Sequence, residues 1–371
     1  MKLFQQKSRI QQFDLAEDFV KEYGIGEGDF ILASRTIYDK YFGPLGLNAC
    51  VKYKDDYGKG EPTDSMMEAL LRDFRSSGCE RIAAIGGGAV IDMAKILVLD
   101  GAYSVKDIFE KKAVFKKKYP LIAVPTTCGA GSEVSNVSIT EMTELNSKLG
   151  LAADELYADD AVLIPQLLSE LPYSFWATSA IDAFIHAIES YVSPKANLYT
   201  EMFSIKAMEM IIHGFRSVIE NGPDRRMELM EEFLTASNLA GIAFGNAGTG
   251  AVHAMSYPLS GVYHVTHGEA NYQFLIAVFC AYQRFRPEGK LKRLNECLAG
   301  MLGCKAGEVY TELKNVLDKI IERKRLREYG MKREEIESFA KSVETSQQRL
   351  LDQSYVKFSW EQMAEIYSQL Y

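Results

Sequence analysis

The chain is poor in the features that mark several specialised protein classes. Of its 371 residues only six are cysteine, at positions 50, 79, 128, 280, 297 and 304, all of them single and none in a CxxC pair. That scatter excludes a disulfide framework or a cysteine-based zinc knuckle and predicts free thiols. No run reaches the roughly 18 uninterrupted apolar residues that a bilayer crossing requires. The nearest, residues 82–99, is broken by Asp92 and Lys95, so no membrane partner is expected. The opening MKLFQQKSRIQQF lacks an apolar h-region and a small-residue cleavage motif, which makes a cytoplasmic location the expectation. Positive charge is not in excess: the formal net charge is -8, which offers no attraction to a polyanion and argues against nucleic acid as a partner. The basic runs at 111–118 and 323–327 read as solvated faces. Low-complexity tracts and repeats of 20 to 50 residues are missing too, which excludes solenoids and long linkers.

What is present is a globular balance, 47% hydrophobic and 25% charged, in a chain long enough for two packed units. Up to about residue 170, short apolar runs alternate with helical patterns. FILAS (30–34), NACVKY (48–53), RIAAIGGG (81–88) and YPLIAVPTT (119–127) read as strands, with MMEALLRDF (66–74) and DMAKILVL (92–99) as helices. That alternation predicts βαβ units and a mostly parallel sheet. From Leu171 onward the apolar residues recur at helical spacing, as in FWATSAIDAFIHAIESYV and RMELMEEFLTASNLAGIAF. The predicted fold is therefore an α/β domain over 1–170 and an all-α domain over 171–371, cut near Pro165 to Pro172.

Two loops in the first half have ligand-binding chemistry. RIAAI leads into Gly86, Gly87 and Gly88, and a helical pattern starts at once. At such a strand-to-helix turn the backbone approaches a ligand closely, and the free N–H groups and dipole of the helix face an anion such as a pyrophosphate. The spacing is not GxGxxG, and a tight βα turn is the plain alternative. The second loop, residues 125–133, follows the strand LIAVP and offers the hydroxyls of Thr126, Thr127 and Ser132.

Histidine is scarce: only His186, His213, His253, His264 and His267 occur. Asp182 and His186 stand four apart in a helical stretch, so both project from one face. His253 and His267 flank a segment where Pro258 and Gly261 interrupt the helical pattern and let the chain fold back. One carboxylate and three imidazoles suit Fe²⁺ or Zn²⁺, in contrast to the all-oxygen sites of Mg²⁺ and Ca²⁺. His213, on an apolar helical face, reads as a partly buried core histidine.

Together these segments resemble the iron-containing (group III) alcohol dehydrogenase family. GGGAVIDMAK (86–95), PTTCGAGSEV (125–134), AIDAFIHAIESYVS (180–193) and AGIAFGNAGTGAVHAMSYPLSGVYHVTHGEAN (240–271) are similar, in order, to its signature elements. The resemblance implies an N-terminal NAD(P)-binding domain, a helical metal-binding domain and a homodimer. It implies Asp182, His186, His253 and His267 as metal ligands, Gly86, Gly87, Gly88 and Asp92 at the pyrophosphate and nicotinamide side of the cofactor, and Thr126, Thr127, Ser132 and Val134 along the nicotinamide ribose, with Lys148 nearby. The length and the wording of 253–271 are most similar to 4-hydroxybutyrate dehydrogenases, which interconvert 4-hydroxybutyrate and succinate semialdehyde with NAD.

The chain departs from the family pattern at several points. Ala89 replaces the usual Ser, and Tyr257 stands where many members carry a further histidine, leaving His264 as the substitute proton-relay candidate beside Tyr257 and Lys148. Ser34, followed by Arg35, takes the place of the Asp that often holds the adenosine ribose; an acidic residue there would repel a 2′-phosphate, so NADP is not excluded. The expected activity is metal-assisted, reversible hydride transfer between a primary alcohol and its aldehyde, with Fe²⁺ as the ion and Zn²⁺ as the alternative. A carboxylated substrate would need a clamp, for which Tyr257, Tyr263, Lys148 and Tyr355 are candidates. Three alternatives stay open: another short-chain alcohol or diol dehydrogenase of the same family, a dehydroquinate synthase-like lyase, which needs basic residues around a phosphorylated sugar acid, and a non-catalytic protein whose metal staples the helices.

Overall fold

A six-stranded, wholly parallel sheet organises residues 6–171, in the computed structural model that describes residues 2–145 and 147–371. Its strands, β1 (Arg9–Gln12), β2 (Asp29–Ala33), β3 (Cys50–Tyr53), β4 (Arg81–Gly86), β5 (Leu121–Pro125) and β8 (Asp160–Leu163), run in the order β1-β8-β5-β4-β2-β3. The strands β6 (Val137–Met142) and β7 (Ser147–Ala152) form a separate antiparallel pair, Val137 opposite Ala152. Helices α1 (Ala16–Tyr23), α2 (Arg35–Ile37), α3 (Asp64–Ser77), α4 (Gly88–Lys95) and α5 (Val105–Phe109) complete this unit.

Successive residues of a strand point to opposite faces, and here both faces are covered. Phe30, Leu32, Ile82, Ala84, Leu121 and Ala123 enter one core with Met67, Leu70 and Phe74 of α3 and Ile91 and Ala94 of α4. Ile31, Ala33, Ala83, Ile85, Ile122 and Val124 enter the other, with Ala16 and Phe19 of α1. Burial on both sides is why these strands read as continuous apolar runs. From β2 the chain goes to β3 on one side and then to β4 on the other, so the order reverses between β2 and β4. In open α/β sheets, ligands settle at the carboxyl ends of the strands beside such a reversal. Ser34 leaves the end of β2 and donates its N–H to Ile85 O at 2.9 Å, one residue before the glycine turn.

The second unit comprises residues 172–371 together with 2–5. The start of the chain, predicted to belong with the sheet, packs on helices instead: Phe4 meets the Tyr199 and Phe203 rings at 5.9 and 5.6 Å, and Leu3 O accepts from Asn197 Nδ2 at 2.8 Å. The unit is built from α6 (Tyr173–Val192), α7 (Leu198–Asn221), α8 (Met230–Ala247), α9 (Ala251–Tyr263), α10 (His267–Phe285), α11 (Lys290–Leu302), α12 (Val309–Ile320), α13 (Glu335–Ser346), α14 (Gln348–Leu351) and α15 (Trp360–Leu370). Every residue of α6 from Ala180 to Val192 is buried, as expected of a helix packed on all sides.

Two expectations need correction. Pro258 and Gly261 do not interrupt α9, which runs through both to Tyr263. Packing of the buried residues from Ala251 to Leu259 outweighs the missing proline N–H. The reversal comes at His264, a left-handed residue with φ 54°. His213 is no core histidine: its side chain is 68% exposed and bonds Glu232 at 2.8 Å, while its neighbours Ile211 and Ile212 take the buried face of α7.

Candidate metal centre and nucleotide turn

Three helices of the 172–371 unit bring Asp182, His186, His253 and His267 together. Asp182 and His186 lie one turn apart on α6, His253 is in the first turn of α9, and His267 opens α10. One donor atom from each lies within 4.8 Å of the others. His253 Nε2 is 3.0 Å from His186 Nε2 and 3.9 Å from Asp182 Oδ1, and His267 Nε2 is 3.9 Å from Asp182 Oδ2. Four donors each about 2.0–2.2 Å from a tetrahedral ion stand about 3.4 Å apart, so this cluster fits a divalent metal with little movement.

Its electrostatics fit as well. Burial alone would raise the Asp182 carboxyl, but His186, His267, His253 and the Asn271 amide overcome that and hold it below its ordinary value. Close helix contact makes the geometry feasible: a Cβ on Gly268 would lie 2.6 Å from Thr178 O and 3.2 Å from Asp182 Cβ, so glycine lets α10 approach α6.

Two supporting residues escaped the sequence reading. Glu189 accepts from His253 Nδ1 at 2.6 Å and from Val252 N at 2.7 Å. Asn271 donates from Nδ2 to Asp182 Oδ1 at 2.7 Å, lies 3.2 Å from His267 Nε2, and accepts from Ser256 Oγ at 2.5 Å. A signal for both was available. Glu189 continues the Asp182, His186 stripe at i+7, and Asn271 follows His267 at i+4, so each sits on the same helix face as the donors.

The substrate-side candidates are placed unevenly. Tyr257 is buried one turn beyond His253, its ring 6.4 Å from that of His267. His264 is not among the buried donors; it is exposed where α9 ends. The Tyr263 hydroxyl donates to Glu335 and that of Tyr355 to Glu288 O.

In the 6–171 unit, Gly86 ends β4, Gly87 caps α4 and Gly88 begins it. Thr126 N donates to Gly86 O at 3.1 Å, and a Cβ on Gly88 would come within 2.6 Å of Ala130 Cβ, so the two small-residue loops interlock. Asp92 and Ser132 join them by a hydrogen bond. Lys95, wholly buried, directs Nζ to Ser132 Oγ at 2.7 Å, Ser135 Oγ at 3.2 Å, Val137 O at 2.5 Å and Asp92 Oδ1 at 3.5 Å. Asp92 also accepts from the Ser132 hydroxyl and from Ile139 N at 3.0 Å. Burial pushes the Asp92 carboxyl up, with Lys95 opposing, and pushes the Lys95 ammonium down, with Asp92 opposing. Val134 is buried in the short turn after Ser132. Lys148 is a buried side chain on β7, opposite Glu141 and 3.8 Å from Glu61.

The chain matches the family model described as iron-containing alcohol dehydrogenase over residues 9–165, and the C-terminal model of the Fe-containing alcohol dehydrogenase family over 176–371. It is 50% identical over 371 residues, all of both chains, to 4-hydroxybutyrate dehydrogenase of Clostridium kluyveri. It is 35% identical over 216 residues, 57% of this chain and 54% of the relative, to long-chain-alcohol dehydrogenase 1 of Geobacillus thermodenitrificans. Among solved structures, sulfoacetaldehyde reductase from Bifidobacterium kashiwanohense in complex with NAD+ superposes with TM-score 0.85 at 21% identity, over 99% of this chain and 98% of that one. A 1,3-propanediol oxidoreductase gives TM-score 0.86 at 21% identity over the whole of both chains. At such identities these structures speak to the fold.

Proposed function

This chain belongs to the iron-containing alcohol dehydrogenase family, and on that premise we propose that it interconverts 4-hydroxybutyrate and succinate semialdehyde with NAD. The observation that carries the substrate is the 50% identity, from end to end, to a 4-hydroxybutyrate dehydrogenase. The ion we assign is Fe²⁺, after the family, with Zn²⁺ suited to the same donors; the setting is a cytoplasmic homodimer. A divalent cation held by Asp182, His186, His253 and His267 supplies Lewis acidity toward an alcohol or carbonyl oxygen. The chain's own residues do the rest. With three imidazoles and a single carboxylate as ligands, a bound divalent ion would keep net positive charge to offset negative charge on the substrate oxygen, and burial of Asp182, His186 and His253 limits competition from water. Tyr257 is the residue best placed to touch a substrate beside the donors. His264 and Lys148 remain proposals for proton transfer, His264 from its exposed position.

The glycine turn takes the pyrophosphate on the N–H groups that open α4, with Thr126, Thr127, Ser132 and Val134 beside the ribose and Asp92 holding the loops in register. The test is reduction of succinate semialdehyde, butyraldehyde and glyceraldehyde with NADH by iron- or zinc-loaded protein. A site that binds a carboxylate favours succinate semialdehyde over butyraldehyde in kcat/KM by about 100-fold or more; equal rates would leave the family and remove the substrate.

The surroundings of Arg35 after β2 support NAD over NADP as the cofactor. Arg35, a candidate partner for a 2′-phosphate, is committed: its guanidinium lies 3.8 Å over the Tyr53 ring and 2.6 Å from Asp56 Oδ1. Tyr53 in turn donates to Asp39 at 2.9 Å, so carboxylates outnumber the cation here. Asp56→Asn frees Arg35 and removes a repulsive charge. Steady-state kinetics should show kcat/KM for NADPH rising roughly tenfold while that for NADH changes less than about twofold.

A further inference from the structure

The carboxylate of Glu189 touches two groups at once. Its residue is 2% exposed, inside α6 and one turn beyond His186. One oxygen accepts the N–H of Val252, and the other accepts Nδ1–H of His253. Val252 and His253 are the second and third residues of α9, where backbone N–H groups have no partner within the helix and the helix dipole is positive. An anion is therefore stable there on two counts. A neutral histidine whose Nδ1 carries the proton presents an unprotonated Nε2, and His253 Nε2 is the atom that faces His186 and Asp182.

We infer that Glu189 is a positioning residue for the metal centre, and that by capping α9 and fixing the tautomer of His253 with one carboxylate it sets both the place and the basicity of that ligand. The inference rests on the reading of the four-residue cluster as a metal centre. Capping alone would be served by any acceptor, such as a serine or asparagine. A carboxylate that also holds the far nitrogen of a ligating imidazole strengthens that imidazole as a donor, and removing such a partner characteristically weakens metal binding 10- to 100-fold.

Glu189→Gln keeps an oxygen for Val252 N–H but loses the charge that fixes the imidazole. The experiment is titration of metal-free full-length protein with Co²⁺ against a competing chelator, read by the visible absorption of the bound ion. Glu189→Gln should bind Co²⁺ about 10- to 100-fold more weakly than the natural protein, with an altered absorption band. In a His253→Ala background the same change should shift affinity by less than about twofold, because the residue it acts through is gone. An equal loss in both backgrounds would mark Glu189 as structural only and overturn the inference, as would a Glu189→Gln protein with natural affinity and spectrum. If Glu189→Gln does not fold, Glu189→Asp, which keeps the charge but not the reach, is read by the same criteria. Failure of the natural protein itself to bind Co²⁺ would bring down the metal centre and this inference with it; natural binding with an indifferent Glu189→Gln would bring down the inference alone.

Discussion

Removing divalent metal from the protein should abolish NADH-linked aldehyde reduction, and adding Fe²⁺ or Zn²⁺ back should restore it in the natural chain but not in Asp182→Ala. The expectation follows from what the four donors offer. Asp182 is the only carboxylate of the cluster, it lies within 4.0 Å of a nitrogen of each imidazole, and it is held below its ordinary pKa by them. Without it the three remaining donors have no anion among them, and the Asn271 amide that now donates to Asp182 loses its acceptor. Polarisation of the substrate oxygen by a metal is worth several kcal/mol, and about 4 kcal/mol corresponds to a factor of roughly 1000 in rate. Dialysis against a chelator should therefore lower kcat by about that factor or more, with metal content measured in the same samples. Protein free of metal by elemental analysis yet retaining its rate would refute the role given to the cluster. The ion that restores the higher rate would also decide between iron and zinc.

The second large effect is on stability. Lys95→Ala should cost about 3–5 kcal/mol, because truncating one member of a buried ion pair strands the other. Lys95 is completely buried, four oxygens surround its ammonium, and the Asp92 side chain is only 14% exposed. For a unit of this size that cost corresponds to a fall in Tm of roughly 6–20 °C. The physical cause can be separated from simple loss of packing. Lys95→Met keeps most of the stem, and adding Asp92→Asn to it removes the stranded charge, so the double variant should be more stable than Lys95→Met alone. Calorimetry on the three variants checks this; a double variant less stable than Lys95→Met would show that the charge is not what matters. NAD affinity should fall with Lys95→Ala as well, since Lys95 joins the glycine-turn helix to Ser132, Ser135 and Val137 of the neighbouring loop.

Much of this organisation was legible because burial on two faces leaves a simple trace. Past their first residues the central strands β2, β4 and β5 are apolar runs, and the Asp182, His186 spacing is a helix face. The edge strand β1 is RIQQ, mostly exposed, and shows no apolar period to read. The alternation in β6 lies beside a loop that suggested ligand binding and nothing more. The reversal after α9 was assigned to proline and glycine, the usual breakers, whereas it is His264 that adopts the left-handed conformation. His213 misled because the apolar character belonged to its neighbours in sequence. Asp92 and Ser132 stand in two separate motifs, and neither motif shows that their side chains bond to each other and, through Ser132, to Lys95. Pairing between distant segments of that kind leaves no local pattern in the chain.

All four donors, with Glu189 and Asn271 behind them, come from α6, α9 and α10, and none from the sheet-bearing residues 6–171. Occupancy by an ion is thus, by mass action, directly an asset of the helical unit alone, lifting its resistance to heat and denaturant in proportion to how far the free ion exceeds its dissociation constant. A preparation loaded with metal should accordingly show a higher melting temperature for the helical unit than one stripped of it.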